Sequence, residues 1–390
     1  MLYRQFYFLD FFINIIIHDY IKIIIFCCMK EIKRIGVFTS GGDCSGLNAI
    51  ISSVVRTANG KGIEVYGIYD GTDGLFYPNL KYTKLEMKDL QNNFSYMRSG
   101  GTFLKSKNRD GGITNTAEKN KEAFKKGVDE LKLDSLIVIG GDGSAMIVSE
   151  LVEGTDINVI CIPKTIDNDT PITEYSVGFD TARNVTMEAM DKLQTTAYSH
   201  NRTMIMEVMG RDAGHLALNT AIAGEACVCL IPEFSYDIDS VCKKIDQVKK
   251  EGIDYALVVV SEGCKMENGK YAVVEKCGVN CYSGFANYIS NELEKRGYLN
   301  RTTILGHIQR GGTPTAYDRI IASEFGVHAI DILLQGKNKR IVILKDGKVS
   351  DVDLYEAVKV GNRPVLEDDF LLKTAKALGI YVGNEYIRNK

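Results

Sequence analysis

Residues 163–169 read PKTIDND and place one lysine and two carboxylates directly after an apolar run, 158–162, that reads as a buried strand. That is a set of groups suited to phosphoryl transfer. One carboxylate can take a proton from an attacking hydroxyl, the other can hold a magnesium ion, and the lysine can offset the charge of the phosphates being moved. Upstream, Gly140-Gly141-Asp142-Gly143-Ser144 follows a second apolar run, 135–139. Together the two segments point to a kinase-like site.

Both segments obey a grammar that recurs along the chain. Apolar, β-branched runs at 35–39, 135–139, 159–162, 203–208, 255–260 and 302–305 each end in a cluster of glycine and polar residues. Helical spacing follows several of them, as in Leu47, Ile50, Ile51, Val54, Val55 and Ala58 after the first. This is the pattern of a parallel α/β sheet, in which ligands bind outside the carboxyl ends of the strands. The six tails are therefore expected to converge on one cleft.

The glycine-rich tails match neither the P-loop GxxxxGK[ST] nor the dinucleotide GxGxxG. Their use is geometric. Gly41-Gly42 and Gly140-Gly141 lack Cβ atoms, so backbone N–H groups and the following helix N-terminus can approach phosphate oxygens. A tight strand-to-helix turn alone would also account for either loop.

Composition agrees with an enzyme of this kind. The 390 residues are 45% hydrophobic and 25% charged, enough to bury two medium cores in two domains. A net charge of -3 without a basic run gives no support for a nucleic-acid or membrane partner. Ten cysteines without paired metal-ligand spacing read as reduced thiols in a cytoplasmic protein. Residues 1–28 are dense in Ile, Phe and Tyr, yet Asn14, His18, Asp19 and Lys22 interrupt them before a membrane span is reached. Met29 offers a second start just before the first strand, so the extension is expected to be absent from the natural protein.

The ordered set TSGGD (39–43), GGTFL (100–104), GGDGS (140–144), PKTIDND, MGR (209–211) and GHIQRGG (306–312) resembles the 6-phosphofructokinases from Met29 to the C-terminus. The resemblance implies an α/β fold of two parallel-sheet domains with chain crossover: 29–178 plus 306–350 for the nucleotide, 179–305 plus 351–390 for the sugar phosphate. It implies transfer of phosphate from Mg-ATP to the 1-hydroxyl of fructose 6-phosphate in glycolysis. A pyrophosphate-dependent enzyme and a non-catalytic phosphate-sensing homologue stand as alternatives.

Carried over residue by residue, the resemblance makes Asp167 the general base and Arg211 the stabiliser of the transferred group, with Thr165 beside them. Asp142 and Asp169 correspond to the magnesium-associated carboxylates. Gly42, Gly141, Gly143, Ser144 and Lys164 correspond to nucleotide contacts, joined by Lys107 or Arg109 where the ATP-dependent bacterial pattern has an arginine. Thr165, Ile166, Asp167, Met209, Gly210, Arg211, Glu262, His307, Ile308, Gln309 and Arg310 correspond to sugar-phosphate contacts. Arg202 and Arg301 resemble arginines that reach into a neighbouring subunit's site, which implies a homotetramer or at least a homodimer. The family's effector site would need basic residues where Ser52, Ile253 and Asp254 stand and an acid at Cys227, which leaves regulation by ADP or phosphoenolpyruvate in doubt.

Overall fold

The computed structural model describes residues 31–92, 96–107, 114–276 and 279–386. The N-terminal extension and Arg109 lie outside them. In chain order the strands are β1 (Arg34–Thr39), β2 (Glu64–Ile68), β3 (Tyr82–Leu85), β4 (Ser135–Gly140), β5 (Asn158–Pro163), β6 (Thr203–Val208), β7 (Val228–Leu230), β8 (Ala256–Ser261), β9 (Val273–Lys276), β10 (Val279–Tyr282), β11 (Asn300–Ile304), β12 (Arg340–Lys345) and β13 (Lys348–Asp353). A seven-stranded sheet runs β13-β12-β5-β4-β1-β2-β3, and a four-stranded sheet runs β11-β6-β8-β7. The centre of the first sheet and all of the second are parallel. Every residue of β4, β6 and β8 is buried, which is why these strands read as unbroken apolar runs.

Between the sheets lies a shared core. The helices Leu47–Gly60 and Ala316–Leu334 pack together there, with Ile50, Val54, Phe325 and Ala329 fully buried. Their closest approach is at Gly326, where a Cβ would stand 3.0 Å from the Ser53 Cβ and closer still to its Oγ. Ser53 also donates to the Ala322 carbonyl at 3.2 Å, so the two helices touch backbone to side chain.

The boundary expected at residue 350 meets a strand. Residue 350 falls inside β13, which pairs antiparallel with β12, and the helix Leu354–Val360 buries Leu354 and Ala357 against Ile341, Ile343 and Val148 of the first sheet's outer layer. The chain therefore stays with the first sheet through Val360. A two-residue turn at Asp346-Gly347, both at positive φ (52° and 68°), makes the β12–β13 hairpin possible.

Candidate active site

Strand tails from both sheets meet in one cleft of about 440 Å³. Ser40, Gly41 and Gly42 follow β1, Asp70, Thr72 and Asp73 follow β2, and Gly141, Gly143 and Ser144 follow β4. Lys164, Thr165, Asp167 and Asp169 follow β5, while Arg211 and Asp212 after β6 and Arg310 after β11 close the cleft from the second sheet. The expected convergence holds for five of the six tails directly. The sixth, after β8, supports the wall: Glu262 donates its backbone N–H to the Val208 carbonyl at 2.9 Å.

The PKTIDND segment is fastened by its own side chains. Asn168 adopts the left-handed region (φ 54°), which asparagine tolerates better than most residues. Its Oδ1 accepts from Ser176 N–H at 3.0 Å and its Nδ2 donates to the Glu174 carbonyl at 3.2 Å. Asp167 N–H donates to Thr165 Oγ1 at 3.1 Å. These bonds present the Asp167 carboxylate to the cleft with only 7% of the residue exposed. Its Oδ1 is shielded from water and has no hydrogen-bond partner among the described residues. Burial pushes the carboxyl above its usual range, against the opposing pull of Arg310, Arg211 and Lys164.

Lys164 is also buried, and Nζ donates to the Gly42 carbonyl. Burial holds its ammonium below the usual lysine range. Arg310 donates from Nη1 to the Asp43 carbonyl at 2.9 Å and lies against Gly42. Gly143 is the opposite case, because a Cβ there would have nothing within 4 Å. Arg211 sits at a left-handed φ of 47°, with the Gly263 backbone so close to its carbonyl that a Cβ at 263 could not be accommodated.

Other expected residues are placed differently. Ile166 points into the core at 1% exposure and Ile308 points to solvent at 70%, so neither side chain faces the cleft. Gln309 is buried and braces the MGR turn, accepting from Met209 N–H at 3.1 Å and donating to the Gly306 carbonyl at 2.9 Å. Met209 packs in the core, and Gly210 takes a φ of 141° that suits glycine. Glu262, with its pKa pushed up to about 7 by burial and by Asp167, stands behind the base. His307 is exposed on the short 3₁₀ turn Gly306–Arg310. Lys107 pairs with Asp73 at the cleft mouth. The side chain of Asp142 lies outside the described residues, although its backbone opens the helix Asp142–Leu151.

Arg202 and Arg301 stand apart from the cleft of their own chain. They lie at the starts of β6 and β11, and six residues of strand separate Arg202 from the turn that carries Arg211, a span of roughly 20 Å. Asp70, Thr72, Asp73, Asp212 and Asn362 line the cleft without having been expected there. The Asp70-Gly71-Thr72-Asp73 run follows the alternating strand β2 and so carried only a weaker form of the strand-tail signal. Asn362 carried none.

A family description, Phosphofructokinase, matches residues 34–333. The chain is 44% identical over 365 residues to the ATP-dependent 6-phosphofructokinase 1 of Synechocystis, covering 92% of this chain and 100% of that protein. It is 40% identical over 372 residues to the ATP-dependent 6-phosphofructokinase 2 of Clostridium perfringens, covering 90% and 99%. Among solved structures, the Saccharomyces cerevisiae phosphofructokinase aligns with a TM-score of 0.72 at 27% identity over 89% of this chain, which spans 46% of that longer one. The pyrophosphate-dependent phosphofructokinase of Marinobacter aquaeolei has the same fold at a TM-score of 0.71 and 23% identity, covering 92% and 94%.

Proposed function

This chain belongs to the phosphofructokinase family, and from that premise we propose that it transfers the γ-phosphoryl group of Mg-ATP to the 1-hydroxyl of fructose 6-phosphate, the phosphofructokinase step of glycolysis. The observation that supports the reading best is the state of Asp167. A carboxylate that lines the cleft with one oxygen out of water and unpartnered among the described residues is more basic than an ordinary aspartate.

In the reaction, the sugar's 1-hydroxyl oxygen bonds to the γ-phosphorus as the bond to the ADP oxygen breaks, and the hydroxyl proton passes to Asp167. Arg211, Arg310 and Lys164 carry the compensating positive charge around the cleft. Magnesium, when bound, would neutralise charge on the donor phosphates. Among the described residues no three His, Cys, Asp or Glu side chains gather into a cage. A magnesium carried on phosphate oxygens needs only one or two protein carboxylates, which Asp169 and Asp142 would supply.

Arg202 and Arg301 fit a site completed by a second copy of the chain. They are too far from their own cleft to grip a sugar phosphate there, and both sit on one end of the second sheet with Arg301 exposed on the edge strand β11. Among the described residues no helix is long and apolar enough to cross a membrane.

A coupled assay with fructose 6-phosphate and either ATP or pyrophosphate tests the assignment. ATP-dependent formation of the bisphosphate is expected. Turnover with pyrophosphate alone would move the donor assignment, and turnover with neither would leave a phosphate-binding homologue.

A further inference from the structure

The segment Asn362–Val365 arrives from the far C-terminal part of the chain and touches both loops that carry the chemistry. Arg363 N–H donates to the Asp169 carbonyl at 2.7 Å. Its guanidinium donates from Nη2 to the Asn168 carbonyl at 2.8 Å and from Nη1 to the Thr173 carbonyl at 2.9 Å, with Glu174 O a further 3.4 Å contact. Thus one arginine holds four carbonyls at the two ends of the turn that starts at Asp167, those of Asn168, Asp169, Thr173 and Glu174. That turn contains two non-glycine residues in the left-handed region, Asn168 (φ 54°) and β-branched Ile172 (φ 69°). A backbone held in such conformations relaxes unless its surroundings over-determine it.

The same segment is tied to the other sheet. His215 donates from Nε2 to the Arg363 carbonyl at 3.0 Å, and Glu233 Oε1 accepts from both Val365 N–H (2.7 Å) and Gly214 N–H (2.9 Å). Gly214 and His215 begin the helix His215–Ala223, four residues beyond Arg211. The strap therefore fixes the turn after β5 and the turn after β6 to one stretch of backbone. Asn362 lines the cleft beside them.

We propose that Arg363 is a positioning residue for phosphoryl transfer: it clamps the Asp167–Thr173 turn and, through His215 and Glu233, sets that turn against the Arg211 loop. This rests on the reading of Asp167 as the base. The largest charges acting on the Asp167 carboxyl are those of Arg310, Arg211 and Lys164, whereas the contacts of Arg363 are to backbone carbonyls, so its effect runs through backbone placement. Substrate binding should feel it less than turnover, because misplacing a reacting group by about 1 Å can cost on the order of 100-fold in rate.

The test uses the purified full-length chain with Arg363→Met, Arg363→Ala and Arg363→Lys, checked for folding by circular dichroism. The expected result for Arg363→Met and Arg363→Ala is a kcat lower by roughly 10- to 100-fold with both KM values changed less than about three-fold. Arg363→Ala should recover part of its kcat in millimolar guanidinium, which refills the donor site. Arg363→Lys, which keeps charge and one set of donors, should fold and fall between. Asp167→Asn is measured in parallel. A dead Asp167→Asn beside a folded Arg363→Met with full kcat overturns the positioning role alone, as does a loss confined to KM. An active Asp167→Asn overturns the base assignment instead. Should Arg363→Met and Arg363→Ala fail to fold, a fully active Arg363→Lys without the intermediate kcat would equally overturn the inference.

Discussion

Gly42 has no Cβ where Arg310 needs the room. A Cβ there would stand 3.0 Å from the guanidinium carbon, 3.2 Å from Nη2 and closer still to Nη1, the nitrogen that donates to the Asp43 carbonyl. The β1 tail from one sheet and the β11 tail from the other are thus seated on each other through a single missing methyl. The Gly42 carbonyl in turn accepts from Lys164, so three cationic or backbone elements of the cleft share this one residue.

Gly42→Ala should therefore harm activity more than stability. The atoms in the way are the far end of a flexible side chain, which can swing aside, so the unfolding free energy should change by no more than surface substitutions change it, within about 0.5 kcal/mol. Arg310 loses its seat, and kcat/KM for fructose 6-phosphate should fall several-fold. Arg310→Ala should cost more, on the order of 1.5–3 kcal/mol for a charge-assisted contact. Because the two residues touch, the double mutant should cost no more than Arg310→Ala alone. Full additivity in steady-state kinetics would show that Gly42 acts through something other than Arg310.

Asp167→Asn should fold, bind fructose 6-phosphate and lose roughly 10²- to 10⁴-fold in kcat, the usual range for a positioned base. The pH dependence has a definite sign. Burial raises the Asp167 pKa above the ordinary 3.8, so the base is lost to protonation at a higher pH than a surface aspartate would be, and the acid limb of kcat should lie above that value. For stability, a raised carboxyl pKa is harmless below the unfolded pKa and becomes a cost as pH rises through the folded one. At pH 8 the asparagine variant should melt higher than the parent, and the gap should close in acid. An asparagine variant less stable than its parent at pH 8 would show that the buried carboxylate is stabilised by its cationic neighbours.

The parts of this site that were legible in the sequence are those whose physics is local. β1, β4, β5, β6 and β8 are covered on both faces and so appear as continuous apolar runs, and the tails of the first four carry polar groups that line the cleft. β2 alternates, with Glu64 and Tyr66 half-buried between buried Val65 and Gly67, so its signal was weaker and the Asp70–Asp73 wall was missed. Asp346-Gly347 is a readable hairpin turn, and the boundary expected at 350 falls just beyond it, inside β13. Gln309 and Ile166 sit within motifs yet face the interior, because a motif constrains residue identity without saying which side of a turn each side chain occupies. Arg363 has no local signature. Its partners Asn168 and Thr173 lie nearly two hundred residues earlier, and only the folded backbone brings them together.

Arg202→Ala and Arg301→Ala should each raise the requirement for fructose 6-phosphate while leaving that for ATP within about two-fold, since in the proposed shared site each removes a charge-assisted phosphate contact worth about 1.5–3 kcal/mol. Within one chain neither arginine lines the cleft, and Arg301 donates from Nη1 to its neighbour Asn300's carbonyl at 2.7 Å. Hybrids mixed from an Arg301→Ala subunit and an Asp167→Asn subunit should therefore regain activity, because one of the two site types in the hybrid combines an intact base with an intact arginine. Subunit-exchanged mixtures that stay as inactive as their parents would place both defects in one site.

The choice of phosphoryl donor turns on Gly143. Pyrophosphate-dependent members of the family resemble one another in pairing an aspartate at this position with a lysine at the Lys164 position, and this chain has Gly143 with Lys164. A side chain at 143 would meet nothing within 4 Å, so Gly143→Asp should fold without strain and project its carboxylate into the cleft. There it would face the α-phosphate of ATP, and two like charges about 4 Å apart repel by on the order of 4 kcal/mol at an effective dielectric of 20. That corresponds to a loss of nearly a thousand-fold in kcat/KM for ATP, while pyrophosphate, which has no α-phosphate, should be spared. Lys164 cannot decide the matter in the same way, because its buried ammonium already donates to the Gly42 carbonyl and can meet phosphate oxygens of either donor. Lys164→Met, which keeps the volume and drops the charge, should accordingly retain part of the ATP-dependent rate. Donor kinetics of the two variants side by side separate the roles, and a Gly143→Asp enzyme that still prefers ATP would move the discriminating contact elsewhere in the cleft.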